Sequence, residues 1–180
     1  MKLHLCAGDI YLEGYTNCDI MGRKVTHAPS DATTLEEYYS QRAIGEKKPT
    51  RIDLRLDLLS FPWPFADSSV DEVVMIQGIE HFTLAEAGRI VTEIRRILKT
   101  GGKFLVDFPD VEETVKLYIH NDPKFCMRFI YCNHKNKYSV HHWGYTPGTF
   151  MELMGDGWRF FFREIVKHDY PTIGCEAVKV

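Results

Sequence analysis

The residues best suited to chemistry fall into three clusters. The first is Cys6-Ala7-Gly8, directly after the apolar stretch Leu3-His4-Leu5, followed by an acid at Asp19 with Ile20 beside it. Small residues at such a point let the backbone approach a ligand. An acid at the end of the next strand can accept hydrogen bonds from ribose hydroxyls. The cluster holds one glycine where a full dinucleotide fingerprint has three, and the gap to Asp19 is short for a complete crossover helix. A tight turn with a surface aspartate is the competing reading.

The second cluster is Asp57-Leu58, at the end of a segment that alternates Ile52, Leu54 and Leu56 with charged residues. An acid there can accept from the exocyclic amine of a purine, or can simply be a solvated strand-end group. The third is Gln77-Gly78-Ile79-Glu80-His81, after the apolar run Val73-Val74-Met75-Ile76. Gly78 permits close approach of the backbone to a ligand. His81 is the first candidate for a general base, with Glu80 and His141 next, because imidazole titrates near neutrality. The plain alternative is a loop that exposes two polar groups before a helix.

His134, His141 and His142, with Cys126 and Cys132 nearby, invite a metal reading. Cys-x-x-Cys and His-x-x-x-His spacings are both missing, so no resident metal is expected. Tyr138, His141, His142, Trp143 and Tyr145 instead combine ring faces with hydrogen-bonding handles, as a lid over a substrate would. Phe160-Phe161-Phe162 reads as core. The chain contains no nucleophile elbow, Walker loop or paired catalytic carboxylates.

These clusters need elements to position them. The spacing predicts strands over Lys2–Cys6, Tyr15–Ile20, Arg51–Leu56, Val70–Gln77 and Phe104–Phe108. A helix is expected within Asp31–Ala43, capped by Asp31 or Thr33. Thr83 and Glu86 form a capping box for a helix carrying Ala87, Ile90, Val91, Ile94, Ile97 and Leu98, and Gly101-Gly102 supplies its stop. Val111–Tyr131 reads as helical with a break at Asn121-Asp122-Pro123. Thr146-Pro147 opens a late helix, and Trp158–Val166 with Ala177–Val180 forms a terminal hairpin. Strands alternating with helices give an α/β fold, a Rossmann-like, doubly wound and mostly parallel sheet with a reduced first crossover.

The 180 residues fit a single domain, 1–180. The composition, 44% apolar and 26% charged, is that of a globular protein. A net charge of −3 supplies no basic excess for gripping phosphates, which disfavours nucleic acid as partner. No run approaches a membrane span. The polar N-terminus and five cysteines without paired spacing predict a reducing, cytoplasmic setting.

Taken together these phrases resemble class I S-adenosylmethionine-dependent methyltransferases, in particular the small type whose first strand starts at the N-terminus. Leu3-His4-Leu5-Cys6-Ala7-Gly8 resembles the family's first strand and cofactor loop. Gly14-Tyr15-Thr16-Asn17-Cys18-Asp19-Ile20 is similar to its second strand, and Asp57 takes the place of the acid near adenine. The stretch from Phe61 to Val73, Glu80-His81, Leu98-Lys99-Thr100-Gly101-Gly102-Lys103 and Trp143-Gly144-Tyr145-Thr146-Pro147 complete the likeness.

The resemblance implies a seven-strand sheet with its last strand inserted antiparallel. It implies S-adenosyl-L-methionine as cofactor, held by Cys6, Ala7, Gly8, Asp19, Ile20, Asp57, Leu58, Gln77 and Gly78. It implies in-line methyl transfer, with His81, Glu80 or His141 taking a proton if the acceptor must lose one. The acidic charge balance points to a small or saccharide-like acceptor. A non-catalytic nucleoside-binding module or partner subunit is the alternative, and a metal-dependent hydrolase on the histidine loop is a third reading. The acceptor's identity and the oligomeric state stay open at this level.

Overall fold

The computed structural model describes residues 1–40, 49–132 and 134–180. In chain order the elements are β1 (Lys2–Leu5), β2 (Thr16–Asp19), β3 (Arg23–Lys24), α1 (Leu35–Ser40), β4 (Arg51–Ile52), β5 (Leu54–Arg55), β6 (Val70–Ile76), α2 (Leu84–Ile97), β7 (Leu98–Pro109), α3 (Val111–Tyr118), α4 (Pro123–Tyr131), α5 (Pro147–Met154), β8 (Trp158–Phe162) and β9 (Thr172–Lys179). A seven-stranded sheet runs β5-β2-β1-β6-β7-β9-β8, and β3 pairs with β4 in a small separate sheet. The first five strands of the main sheet are parallel. β9 lies antiparallel between β7 and β8. This is the α/β architecture expected from the sequence, with its last strand inserted.

The buried strands alternate between two apolar layers, because successive side chains leave a strand on opposite faces. Leu3, Leu5, Val73, Met75, Phe104, Val106 and Phe108 pack with Ala87, Ile90, Val91, Ile94 and Ile97 of α2 and with Phe150 and Met154 of α5. Each such Leu, Ile or Phe contributes about 1.5–3 kcal/mol by leaving water. The opposite layer joins Val74, Ile76 and Leu105 to Leu12, Ile165 and Val166 of loops, with Leu35 of α1 against them.

The connection from β1 to β2, residues 6–15, contains no helix, as the short gap predicted. Its backbone groups are satisfied by a buried side chain instead. Asn17 accepts from Leu12 N at 2.8 Å and donates to the carbonyls of Leu12 and Tyr15. It also contacts His4 Nδ1 at 3.0 Å. Asp53 then accepts from the Asn17 backbone and from the Tyr11 hydroxyl.

Several boundaries differ from expectation for identifiable reasons. The alternating segment 51–56 splits into β4 and β5, because Asp53 turns in to receive these hydrogen bonds. α1 is capped at Thr34, which accepts from Glu37 N at 3.1 Å, rather than at Asp31 or Thr33. The end of that predicted helix, at Ala43, lies outside the described residues. α2 stops at Ile97 with Leu98 already extended. The glycines fall after it, where β7 bulges against β6. Thr83 forms the expected capping box with Glu86. Phe161 and Phe162 are exposed, and only Phe160 of the three packs against the core.

Candidate functional site

The carboxyl ends of β1, β2, β5 and β6 open into a cleft of ≈ 490 Å³. Its floor follows from strand polarity. Cys6 and Gly8 come from the loop after β1, Asp19 and Ile20 from the end of β2, Asp57 and Leu58 from the loop after β5, and Gln77 and His81 from the loop after β6. Residues 136–139 and His142 form the opposite wall. That loop is fastened to the floor. His142 N donates to the Glu80 carbonyl at 2.8 Å, and His81 Nδ1 donates to the Val140 carbonyl at 3.0 Å.

The floor is closely fitted. Gly78 is buried, and a Cβ there would stand 2.8 Å from Met75 Cγ and 3.1 Å from Cys6 Cβ. A side chain there would force Met75 and Cys6 to shift, so glycine gives the closest approach of the loop to β6 and to Cys6. Cys6 itself sits at φ 53°, a left-handed conformation that a branched or bulky residue resists. Burial pushes its thiol pKa up, so the sulfur is neutral. Asp19 accepts from Gly8 N at 3.0 Å and from Met21 N at 2.9 Å. Asp57 is exposed and closes its own turn, accepting from Leu59 N at 2.9 Å. Gln77 donates to Asp107 Oδ1 at 2.7 Å.

Behind the cleft wall lies a polar cluster. The Glu80 carboxylate is buried, and neither of its oxygens has a hydrogen-bond partner among the described residues. His81 Nε2 is 4.0 Å and His141 Nε2 is 3.9 Å from Glu80 Oε1. The two rings meet edge to face with centroids 4.9 Å apart. Burial pushes the Glu80 carboxyl up to about 8. Burial lowers His141 to about 4, helped by the neighbouring His81, and burial also lowers His81. Because a carbonyl only accepts, His81 carries its proton on Nδ1 and presents the Nε2 lone pair to the cluster.

The structure brings most of the expected residues together. Cys6, Gly8, Asp19, Ile20, Asp57, Leu58, Gln77 and His81 line one cleft. Ala7 is buried under it, donating to the Cys18 carbonyl at 3.1 Å, and Gly78 supports it from below. Glu80 and His141 stand behind His81 rather than in the cleft lining. Of the expected lid, Tyr138 and His142 face the cleft. Tyr145 instead packs in the core against Phe108 and Phe150. Asn136, Lys137, Phe82 and Glu86 also line the cleft. Sequence reasoning passed over them, and only their closeness to the histidine-bearing loop or to the Thr83 cap could have marked them.

A family model described as a methyltransferase domain matches residues 16–106. That span includes Asp19, Asp57, Gln77, Gly78, Glu80 and His81 and leaves out Cys6, Ala7 and Gly8. No curated protein sequence matches the chain significantly. Among solved structures, an S-adenosylmethionine-dependent methyltransferase from Methanosarcina mazei superposes with TM-score 0.59 at 20% identity, over 99% of this chain and 92% of that one. A chain of the complex between the Haloferax volcanii Trm112 methyltransferase activator and a methyltransferase gives 0.58 at 17%, over 99% and 81%. A protein from Pyrococcus horikoshii gives 0.57 at 18%, over 99% and 81%. At these identities the likeness is one of fold. Among the described residues no helix is long and apolar enough to cross a membrane.

Proposed function

The chain belongs to the methyltransferase-domain family, of the class I S-adenosylmethionine-dependent type, and from that premise we propose that it methylates a small, hydroxyl-bearing acceptor of saccharide-like character. The observation that carries the acceptor class is the cleft wall opposite the strand ends. Asn136, Tyr138, Ser139 and His142 present amide, hydroxyl and ring groups there, a set that suits sugar hydroxyls and the apolar face of a pyranose. The cleft volume falls within the roughly 300–1,000 Å³ of small-molecule sites.

The floor residues fit the cofactor. Asp19 receives the ribose hydroxyls, Asp57 and Leu58 flank the purine, and the Cys6-Ala7-Gly8 loop with Gln77 and Gly78 lies along the aminoacyl portion. S-adenosylmethionine supplies an electrophilic methyl carbon when bound. The protein's part is to hold the acceptor oxygen in line with that carbon and to exclude water. His81, which lines the cleft, takes the acceptor's proton on Nε2 as the new carbon–oxygen bond forms. Glu80 and His141 set the environment of that nitrogen from behind.

Calorimetry with S-adenosylmethionine and S-adenosylhomocysteine, followed by transfer of labelled methyl to a panel of sugars and small alcohols, tests both parts. Absence of binding to either nucleoside overturns the reading. Binding without transfer to any acceptor supports the second reading, a nucleoside-binding module. The observation favouring that second reading is the helix-less connection 6–15, which offers no helix N-terminus to the cofactor.

A further inference from the structure

We propose that Glu80, His81 and His141 together bind one borderline divalent cation, of the zinc or iron(II) type, behind the wall of the cleft. The three residues each offer a ligand atom, and these atoms all lie within 4.8 Å of one another. A carboxylate with two imidazoles is a donor set found in catalytic zinc sites and in non-haem iron sites, both of which keep open positions. With bonds of 2.0–2.2 Å, ligand atoms around a tetrahedral cation stand roughly 3.3–3.6 Å apart. The separations from Glu80 Oε1 to the two Nε2 atoms are 3.9 and 4.0 Å, and with all ligand atoms within 4.8 Å the side chains must draw inward by roughly 0.5–1.5 Å to reach that spacing.

An independent observation points to a missing ligand. Glu80 is 1% exposed, and both of its oxygens lack a hydrogen-bond partner among the described residues. Leaving an acceptor group buried and unpartnered costs about 1–3 kcal/mol, and more when it is charged. The buried Tyr145 hydroxyl has no hydrogen-bond partner among the described residues either, and burial first, then the neighbouring Glu80, holds its pKa up. A cation among the three ligands would let Glu80 ionise and would give it a partner.

The imidazoles are already set for coordination. His81 donates from Nδ1 to the Val140 carbonyl at 3.0 Å, which fixes its tautomer and leaves Nε2 free. Metal-binding histidines are ordinarily oriented by such an outer hydrogen bond. Burial keeps both rings neutral, the form that binds metal. His81 is 23% exposed and lines the cleft, so an open coordination position on its side can take water or an acceptor oxygen.

This inference stands apart from methyl transfer and would hold for a protein that never turned over. It also defines an alternative at one atom. A cation on His81 Nε2 removes that nitrogen as a base, and an acceptor hydroxyl is then acidified by coordination. The local spacing on the 134–142 loop did not show the site, because one ligand comes from that loop and two from the turn after β6.

The test is a titration of chelator-treated protein with Co²⁺, followed by ligand-field absorption and by Tm. One equivalent should saturate, without a thiolate charge-transfer band, and should raise Tm. Glu80→Gln and His141→Ala should each weaken binding beyond the roughly 10–100-fold cost of losing a ligand's outer partner. His120→Ala, at an exposed histidine just after α3 and outside the cluster, should bind as the unaltered protein does. Circular dichroism checks that each variant folds, and Glu80→Gln, nearly isosteric, decides the matter if His141→Ala does not fold. Failure to saturate at one equivalent, a thiolate spectrum, or unchanged affinity in folded Glu80→Gln overturns the proposal. Calorimetry with S-adenosylhomocysteine on the same sample reads the cofactor site separately.

Discussion

Gly8 donates its backbone N–H to the Asp19 carboxylate at 3.0 Å, and this bond ties the first loop to the end of β2. The acid proposed to hold the ribose also shapes the loop beside it. Asp19→Ala removes both tasks, so affinity for S-adenosylhomocysteine should fall at least about tenfold, the scale of a hydrogen bond to a charged group. Asp19→Asn keeps one acceptor oxygen and should lose less. Equal calorimetric affinity in Asp19→Ala and the unaltered protein would remove Asp19 from the site.

Gly78 and Cys6 form a second coupled pair. Gly78→Ala sets a methyl group against Met75 Cγ and Cys6 Cβ, an overpacking that should cost about 1–3 kcal/mol in urea unfolding. Cys6→Gly removes one of the two opposing contacts and relaxes the left-handed residue at φ 53°. The double variant should recover part of the loss, with a coupling of roughly 0.5–3 kcal/mol. Strict additivity would show that the two loops do not press on each other.

His4 carries a pH dependence whose sign is fixed by burial. Its pKa is lowered from 6.5 to about 4 by desolvation, opposed by the hydrogen bond to Asn17 and the charge of Asp19. The unfolded chain therefore takes up this proton first as pH falls. His4's contribution is fully present above pH 6.5 and is lost between about 6.5 and 4, by up to about 3 kcal/mol. Urea unfolding at pH 7.5 and 4.5 measures the slope, and His4→Gln should flatten it. A slope equal in both proteins would show that His4 is not the group responsible.

Glu93 on α2 anchors the aromatic phrase that precedes β6. It accepts from Trp63 N at 2.7 Å and from Arg96 Nη2 at 2.6 Å, and Arg96 reaches on to the Phe65 carbonyl and Asp67. These bonds, the Arg96 contact foremost, hold the Glu93 carboxyl below its ordinary pKa. Glu93→Leu leaves Trp63 N without its acceptor and should cost about 1–3 kcal/mol. An unchanged urea midpoint would mean that Trp63 is held by packing alone.

The parts of the fold that were legible in the sequence are those where a local pattern and a tertiary need agree. Val73 to Ile76 is apolar because β6 is covered on both faces, and Thr83 with Glu86 marks the start of α2 because both capping bonds form within one turn. The strand-end residues Asp19, Asp57, Gln77 and His81 could be placed for the same reason, since strand polarity sends them to one side. What stayed hidden depends on contacts far apart in the chain. Asp53 breaks an apparent strand only because Asn17 and Tyr11 reach it. Tyr145 read as part of a lid, yet its ring completes an aromatic group with Phe108 and Phe150. His141 joins Glu80 and His81 through a fold that no local spacing records.

The helix-less connection between β1 and β2 has one more consequence, in the dynamics of the sheet. Amides 8–15 are held by scattered single bonds, Gly8 to Asp19, Ile10 to Ala7, Leu12 to the Asn17 side chain and Glu13 to Thr33, not by a cooperative helical ladder. They form a unit that can open without unfolding β6 or β7. Their hydrogen exchange should be fast in the free protein and slow when a bound nucleoside packs against Gly8 and Asp19 and keeps the bond between them from opening. Occupancy of the cleft would thus be reported by protection of a segment that mostly lies beyond the ligand's own reach.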